Sequence, residues 1–375
     1  MVKIDGTYGE GGGQIIRTAI ALAAITGEEV EIKNIRANRP NPGLSAQHLH
    51  AVKAVEKLSG GRTEGLELRS TGLKFSPGAL NGFEGEIDIG TAGSITLLLQ
   101  CLIPVAVFAD SETKVRIRGG TDVKWSPPMD FYTELFLKAI REMGCDVHLD
   151  LKRRGYYPKG NGLVEVKITP SHCGALPHHG LRPYPRKPRR GLPASPVRAY
   201  LKGIVLLAAE SERTGGREGV VKGISHSCGL PVHVAERQAK AAESVLNAAG
   251  YDSELKTEID EKNGKRTTGC GITLWKCYKS GSALGERGKR AERVGKEAAG
   301  NIINELESAS ASTVDVYLAD QLIPYIALAN GKSEIRVREV TKHLETNMYV
   351  TKKFLDVEFE IEKKSGFFAI ACQSQ

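Results

Sequence analysis

Three short stretches carry side chains whose types and spacing suit chemistry on phosphate. The first, TYGEGGGQIIR at residues 7–17, is a glycine-rich turn that runs into an apolar, helix-like segment. Glycines at a helix entrance present backbone N–H groups to an anion, and Arg17 adds a charge. The Lys-Ser/Thr pair of a P-loop is missing and the glycine order does not fit the dinucleotide fingerprint, so a plain strand-to-helix turn stays open. Glu10 in this loop is either a hard-metal ligand or a turn residue paired with an arginine. The second stretch places Arg36 and Arg39 before Pro40, Pro42 and Gly43, a stiff loop on which a guanidinium fork suits bidentate phosphate binding; a solvated turn is the alternative. The third, TKHLETN, sets His343 three residues before a Thr-Asn pair that would open a helix. A helix N-terminus disfavours imidazolium and attracts anions, so a histidine there is a candidate nitrogen nucleophile toward phosphorus, although an ordinary loop histidine would look the same.

These stretches need elements to position them, and hydrophobic periodicity supplies them more than once. GQIIRTAIALAAITG reads as a helix, EVEIKNI as a strand, SAQHLHAVKAVEKLSGG as a second helix, and LELRS and LKFSPG as strands. The pattern returns as GSITLLLQCLIPVAVFA, KVRIR, MDFYTELFLKAIREMG, VHLDLKRR and LVEVKI, and again as VDVYLADQLIPYIALANG, SEIRVREV, TNMYVTKKFL, VEFEIEK and GFFAIA. In the second copy Tyr132, Leu135, Phe136, Ala139, Ile140 and Met143 form one apolar stripe, while Val164, Val166 and Ile168 alternate with Glu165 and Lys167. Helices covering one side of mixed sheets make the class α+β, built from repeated βαβαββ-type modules. Loops at corresponding positions carry Arg36 and Arg39, then Asp122, Lys124 and Trp125, then His343, and packing about a shared axis would bring them to one cleft. A partial unit with helix VHVAERQAKAAESVLNAAG and strands DSELKTEID and GITLWKCYK reads as a smaller insert domain. The expected division is a core of residues 1–180 and 281–375 around an insert of residues 181–280.

Residues 171–200 break the pattern with six prolines, six Lys or Arg and no acidic residue. Such a segment builds no packed element; it reads as a basic linker, a phosphate-touching arm, or a local frame error in the underlying gene sequence.

A net charge of +8 and a pI of about 9.0 favour an anionic partner, with nucleic acids and nucleotides foremost. With only 6% aromatic residues, gripping phosphate suits the surface better than stacking bases. The N-terminus lacks a signal-peptide layout and ITLLLQCLIPVAVFA is too short for a bilayer, so a cytoplasmic protein is expected. Seven cysteines without a CxxC pair argue against disulfides and zinc, and most are expected to be buried thiols. His48, His50 and His226 show no carboxylate neighbours at ligand spacing and are read as non-metal residues; His148 reads as a strand residue.

Taken together and in order, GEGGGQIIR, IRANRPNPGLSAQHL, GTAGSITLLLQ, GGTDVKWSPPMDF, VYLADQL and TKHLETN closely resemble the RNA 3′-terminal phosphate cyclases, over residue 3 to about 170 and again from about 215 to the end. The resemblance implies three modules similar to the C-terminal domain of a translation initiation factor, plus a small insert domain. It implies that a histidine attacks the α-phosphate of ATP, that AMP passes to an RNA 3′-phosphate, and that the 2′-OH then displaces AMP to close a 2′,3′-cyclic phosphate. Carried over by motif, His343 is the adenylylated nucleophile. Gln100, Pro128, Phe131 and Tyr317, Leu318, Ala319, Asp320 and Gln321 bind ATP, while Gln14, Arg17, Arg36, Arg39 and Gln47 hold phosphate or RNA. Glu10 or Asp320 places Mg²⁺ or Mn²⁺. The implied partners are ATP and an RNA with a 3′-terminal phosphate; monomer and homodimer both stay open. Residues 171–200 match no family pattern. A non-catalytic cyclase-like protein that binds RNA in ribosome biogenesis is the rival reading; an enolpyruvyl-transfer synthase on a similar repeated fold finds no support in these motifs.

Overall fold

The computed structural model describes residues 1–171, 201–206, 219–261, 263–264, 266–307 and 311–374, so residues 172–200, nearly all of the proline-rich segment, lie outside the described residues. The first sheet comes from β1 (Val2–Asp5), β2 (Val30–Lys33), β3 (Arg62–Glu64) and β4 (Leu73–Ser76), with α1 (Gln14–Thr26) and α2 (Ala46–Ser59) between strands. Its order is β1-β2-β4-β3, with β1 and β2 parallel and the other pairs antiparallel. The second sheet uses β5 (Glu84–Asp88), β6 (Thr113–Gly119), β7 (Asp146–Arg153) and β8 (Gly162–Thr169) in the order β5-β6-β8-β7, again with its first pair parallel. Between its strands run α3 (Ile95–Val107) and a helix α4 whose pieces are Met129–Phe131, a π turn Tyr132–Phe136, and Leu137–Glu142.

After the short β9 (Leu201–Lys202) come β10 (Val221–Cys228), α5 (His233–Ala248), β11 (Ser253–Asp260), β12 (Gly269–Lys276), β13 (Lys279–Leu284) and α6 (Ala291–Glu307). Their sheet, β11-β10-β12-β13, packs a separate apolar core to which Leu246 of α5 and Val294, Ala298 and Ile302 of α6 contribute, so this core runs on past residue 280. The chain closes with α7 (Val316–Leu328), β14 (Ala329–Asn330), β15 (Lys332–Val337), α8 (Lys342–Lys352), β16 (Val357–Lys364) and β17 (Phe367–Ser374). Here the order is β15-β17-β16, β9 pairs with β14, and Val205 adds a parallel bridge to Glu334 on β15. The molecule is therefore a mixed α+β protein with several small sheets and eight helices among the described residues. None of those helices is long and apolar enough to cross a membrane.

The larger core is continuous across the first, second and last sheets, and α1 lies inside it. QIIRTAIALAAIT is apolar almost all round, and every residue but its last is buried, as expected of a helix walled in on all sides. It packs against α2, α3 and α8 and ends at Gly27, whose φ of 72° is the left-handed conformation that stops a helix.

Two elements depart from the sequence reading. Leu66–Ser70 is a turn, not a strand: Gly65 and Arg69 both adopt positive φ, Leu68 faces solvent, and Arg62–Glu64 takes the strand position. The last helix starts at Lys342, ahead of the Thr-Asn pair, because the Thr341 hydroxyl accepts the Leu344 N–H at 3.0 Å and caps it there. His343 is thus on the first turn of α8, not in the loop before it. As expected, His148 lies on a strand, and five of the six described cysteines are buried.

Candidate active site

The opening loop and the end of the chain meet at the N-terminus of α1. Gln14 donates to the His343 carbonyl at 2.8 Å, and Tyr8 stacks on Tyr349 of α8 with ring centroids 3.7 Å apart. Thr18 donates to Asn347 Oδ1 at 2.8 Å, and Asn347 in turn donates to the Asp320 carbonyl on α7. The second sheet's unit joins through Arg17, whose Nε donates to Gln100 Oε1 at 2.9 Å. Burial pushes the Arg17 guanidinium down to about 10, which leaves it charged at neutral pH.

Glu10 bridges the charged groups above this junction. Its Oε2 lies 3.0 Å from the Arg39 guanidinium and 3.5 Å from His343 Nδ1, leaving Nε2 without a partner among the described residues. Partial burial lowers the pKa of His343 below the ordinary histidine value; Glu10 opposes this, and Arg17 and Arg39 add to it. Its ring is therefore mainly neutral at pH 7, the form that has a nucleophilic lone pair.

The glycines of the loop make these approaches possible. A Cβ on Gly12 would lie 3.2 Å from an Arg39 nitrogen, and one on Gly9, at φ 60°, only 2.5 Å from the Thr346 hydroxyl. The helix they lead into has no side-chain cap and no acidic residue in its first turn, whereas Ser94, Asp315 and Thr341 cap α3, α7 and α8 with their side chains. Uncapped N–H groups beside Arg17 and Arg39 suit a phosphate, and the half-exposed Glu10 carboxylate suits a divalent cation, so the residues fit a metal-bound nucleotide.

Other candidates surround this point. Asp320 is buried, accepts the Thr341 hydroxyl at 2.8 Å, and is pushed up to about 8 by burial, with Asp315 and Glu10 adding to the rise. On α7 the Tyr317 ring is exposed, and Gln321, buried one turn on, donates to the Tyr317 carbonyl at 3.3 Å. Leu318 and Ala319 face the core, since a helix turns only one side to a cleft. Gln47 accepts the Ser94 N–H at 3.0 Å at the start of α3. Arg36, at φ 54°, folds back to donate to the Gly43 carbonyl at 2.9 Å and so stiffens its own loop. Pro128 precedes α4, and Phe131 is buried in the core behind it.

The expected convergence of corresponding loops holds for Arg39 and His343 only. Lys124 pairs with Glu286, Trp125 projects into solvent, and Asp122 is buried elsewhere. Asp122 and Asp130 each accept from Arg154, at 3.4 and 2.8 Å, and each directs a second oxygen toward His226 Nε2, at 3.6 and 3.8 Å. His226 Nδ1 is 2.7 Å from the Tyr156 hydroxyl, and Glu258 accepts from Arg154 at 2.7 Å. This cluster ties β10 and β11 to the loop that leads into α4, and it gives His226 the carboxylate neighbours that the sequence, with no cluster at ligand spacing, did not reveal. Burial, with Arg154 adding, pushes His226 down to about 3, so the ring is neutral; the guanidinium is the cation that the two carboxylates already hold.

His48 also has a structural task. Its Nδ1 accepts the Ser45 N–H at 3.3 Å and lies 2.7 Å from the Ser45 hydroxyl, closing a capping box at the start of α2. His50 bonds the Ala46 carbonyl at 2.8 Å. Three residues to which the sequence reading gave no site role, Thr18, Thr341 and Asn347, knit α1, α7 and α8 together. Thr18 is a polar residue in the otherwise apolar α1, which is the signal that would have found it.

The model of a protein family described as RNA 3′-terminal phosphate cyclase matches residues 8–361. A protein of Methanosarcina mazei named RNA 3′-terminal phosphate cyclase is 46% identical over 371 residues, covering 99% of both chains. Proteins of the same name from Archaeoglobus fulgidus and Pyrococcus furiosus are each 44% identical, over 97% and 98% of this chain and 99% and 96% of their own. With the match running almost end to end and taking in both the glycine loop and His343, the chain belongs to the RNA 3′-terminal phosphate cyclase family.

Proposed function

We propose that this protein is an ATP-dependent cyclase that converts the 3′-terminal phosphate of an RNA to a 2′,3′-cyclic phosphodiester through a histidine-AMP intermediate. The observation that carries the reading is His343, neutral and paired with Glu10, facing the uncapped N-terminus of α1 between Arg17 and Arg39. In the first step a His343 ring nitrogen attacks the α-phosphorus of ATP and pyrophosphate leaves. An oxygen of the RNA 3′-phosphate then attacks that phosphorus and frees the histidine. In the last step the neighbouring 2′-OH attacks the 3′-phosphate, loses its proton and expels AMP. The required 2′-OH makes the substrate RNA and not DNA. Gln100, Tyr317, Asp320, Gln321 and Pro128 line the nucleotide in this reading, with Leu318, Ala319 and Phe131 packed behind them. Gln14, Arg17, Arg36, Arg39 and Gln47 serve the phosphates or the RNA end. A divalent cation, Mg²⁺ or Mn²⁺ held by Glu10, with Asp320 near it, neutralises phosphate charge.

The same reading takes the fold as three repeated modules with a smaller domain inserted in the third. It is supported by the matching orders β1-β2-β4-β3 and β5-β6-β8-β7, and by Val205 standing beside β15-β17-β16 where those sheets place their first strand. The insert is then best drawn through β13 and α6, which share its core.

Incubation with [α-³²P]ATP and Mg²⁺ will give the protein an acid-labile label, and His343→Ala will not take it up. Equal labelling of both removes His343 from this role, and labelling of neither favours a non-catalytic RNA-binding protein.

A further inference from the structure

Away from His343, at the end of β6 and the turn between β7 and β8, Arg118, Arg153, Asn161 and Arg266 line a surface pocket of about 360 Å³. Three guanidinium groups around one opening repel each other, and the carboxylate compensation is partial: Asp88 stands 3.9 Å from Arg118, at the edge of pairing distance, and Asp260, which favours the charged form of Arg153, also accepts from Asn263. Arg153 donates its Nε to the Asn161 carbonyl at 2.7 Å, and Asn161 donates its amide to the Arg266 carbonyl at 3.0 Å. The first bond closes the second sheet's turn and the second ties it to the β11–β12 connection, so the arginines come from two parts of the chain and are held on a common rim. Partial burial, then repulsion from Arg266 and Arg118, lowers the pKa of Arg153. On the β7–β8 turn that also carries Asn161, Tyr157 is 77% exposed and offers a flat apolar face.

The strand that carries Arg118 is also linked, through the turn before α3, to Gln47. Ile89 donates to the Arg118 carbonyl at 3.0 Å, and Ser94, at the other end of the same loop, bridges Gly120 and donates to Gln47. Gly160 of the β7–β8 turn packs so tightly on Thr91 and Ala92 that a Cβ there would meet backbone at 2.8 Å. Arg118 and Gly120 are two residues apart on the same run of chain, roughly 7 Å of strand, and Gly120 bridges the Ser94 whose N–H Gln47 accepts.

We propose that this three-arginine pocket binds backbone phosphates of the RNA substrate upstream of its 3′ end, with Tyr157 stacking on a base. The inference rests on the RNA-cyclase reading for its ligand and extends it to a second contact zone. Arginines that converge on an open pocket with only partial carboxylate compensation lower their mutual repulsion when an anion enters, and a polyanion of several nucleotides can fill this pocket and run on toward Gln47. A ring beside the phosphate path is the usual companion in single-strand binding.

The test is binding by fluorescence anisotropy, which needs no turnover and so separates failure of the pocket from failure of the cyclase reading. The full chain is titrated with a 3′-phosphorylated oligoribonucleotide of about ten nucleotides and with a 3′-phosphorylated dinucleotide. Arg118→Ala/Arg266→Ala removes two exposed side chains and leaves the Arg266 carbonyl in place for Asn161. The double variant is expected to bind the oligomer about tenfold more weakly, with the salt slope reduced by about 1.4, and to bind the dinucleotide as before. Tyr157→Ala is expected to weaken the oligomer alone, without changing the salt slope. Unchanged oligomer affinity, or equal losses for oligomer and dinucleotide, would overturn the proposal.

Discussion

Two histidines in this molecule stand beside carboxylates and an arginine, and their surroundings differ in almost every other respect. His343 is 46% exposed, and Glu10 and Arg39 are each 40% exposed. His226 is 1% exposed, with Asp122, Asp130 and Arg154 all at 8% or less. In the closed group the guanidinium is committed to both carboxylates and the ring nitrogen points at them across a gap too long for a hydrogen bond. In the open group one carboxylate is shared by arginine and imidazole, the other ring nitrogen is free, and an uncapped helix start lies alongside. The same side chains act as a bolt between two parts of the fold when water is excluded, and as a receptive surface when it is not. Exposed ion pairs add little stability, so the open group can be rearranged by a ligand at small cost; the buried one cannot.

Substitutions can break or sharpen that contrast. The largest effect falls on activity at the open site: His343→Ala is expected to lower cyclisation of a 3′-phosphorylated RNA by about 10³-fold or more, with thermal unfolding essentially unmoved. A matching drop in unfolding temperature would make His343 structural and erase the distinction. At the closed site the order reverses. Arg154→Leu leaves Asp122 and Asp130 buried without their cation, which should cost about 3–5 kcal/mol in urea unfolding. A cost no greater than that of Arg39→Ala, about 0.5 kcal/mol, would mean the buried cluster is not a bolt. A subtler change follows from Glu10. Its charge favours the imidazolium of His343, so Glu10→Gln lowers the histidine pKa further and moves the acid limb of the labelling rate to lower pH. A limb that stays put or moves up would show that Glu10 does not face the titrating ring. Smallest is Thr341→Ala, which removes the cap of α8 and the bond to Asp320 and should cost about 1 kcal/mol with a modest loss of labelling.

The open site was far more legible in the sequence than the closed one, and the reason is local chemistry. Glycines 9, 11, 12 and 13, the proline-stiffened Arg36–Arg39 loop and the TKHLETN segment each carry a signal within a few residues. Seven of the eight described helices announced themselves, α1 through the near absence of polar residues and the others through apolar stripes, while α6, at Ala291–Glu307, was not read from the sequence. Asp122, Asp130, Arg154, His226 and Glu258 are drawn from four separate segments, each charged residue looking like a solvated one until the sheets close over it. Leu66–Ser70 imitated a strand because its apolar residues alternate, while the conformation of Arg69 was invisible. The start of α8 was misplaced because two threonines, Thr341 and Thr346, could each have capped it, and only packing against Asp320 decides between them.

The hydrogen bond from Gln14 to the His343 carbonyl spans 329 residues, and Thr18 reaches Asn347 over the same separation. During synthesis on a ribosome, α1 therefore emerges long before the helix that must cover one of its sides. Until α8 arrives, an apolar rod with a bare amide end waits half clothed, sheltered by α2, α3 and the strands β2 and β4. In the proposed reading catalytic competence is thus delivered last, with the final strands of the chain, and a product truncated before residue 343 would have the glycine loop, Arg17 and Arg39 without the histidine to which that reading gives the chemistry.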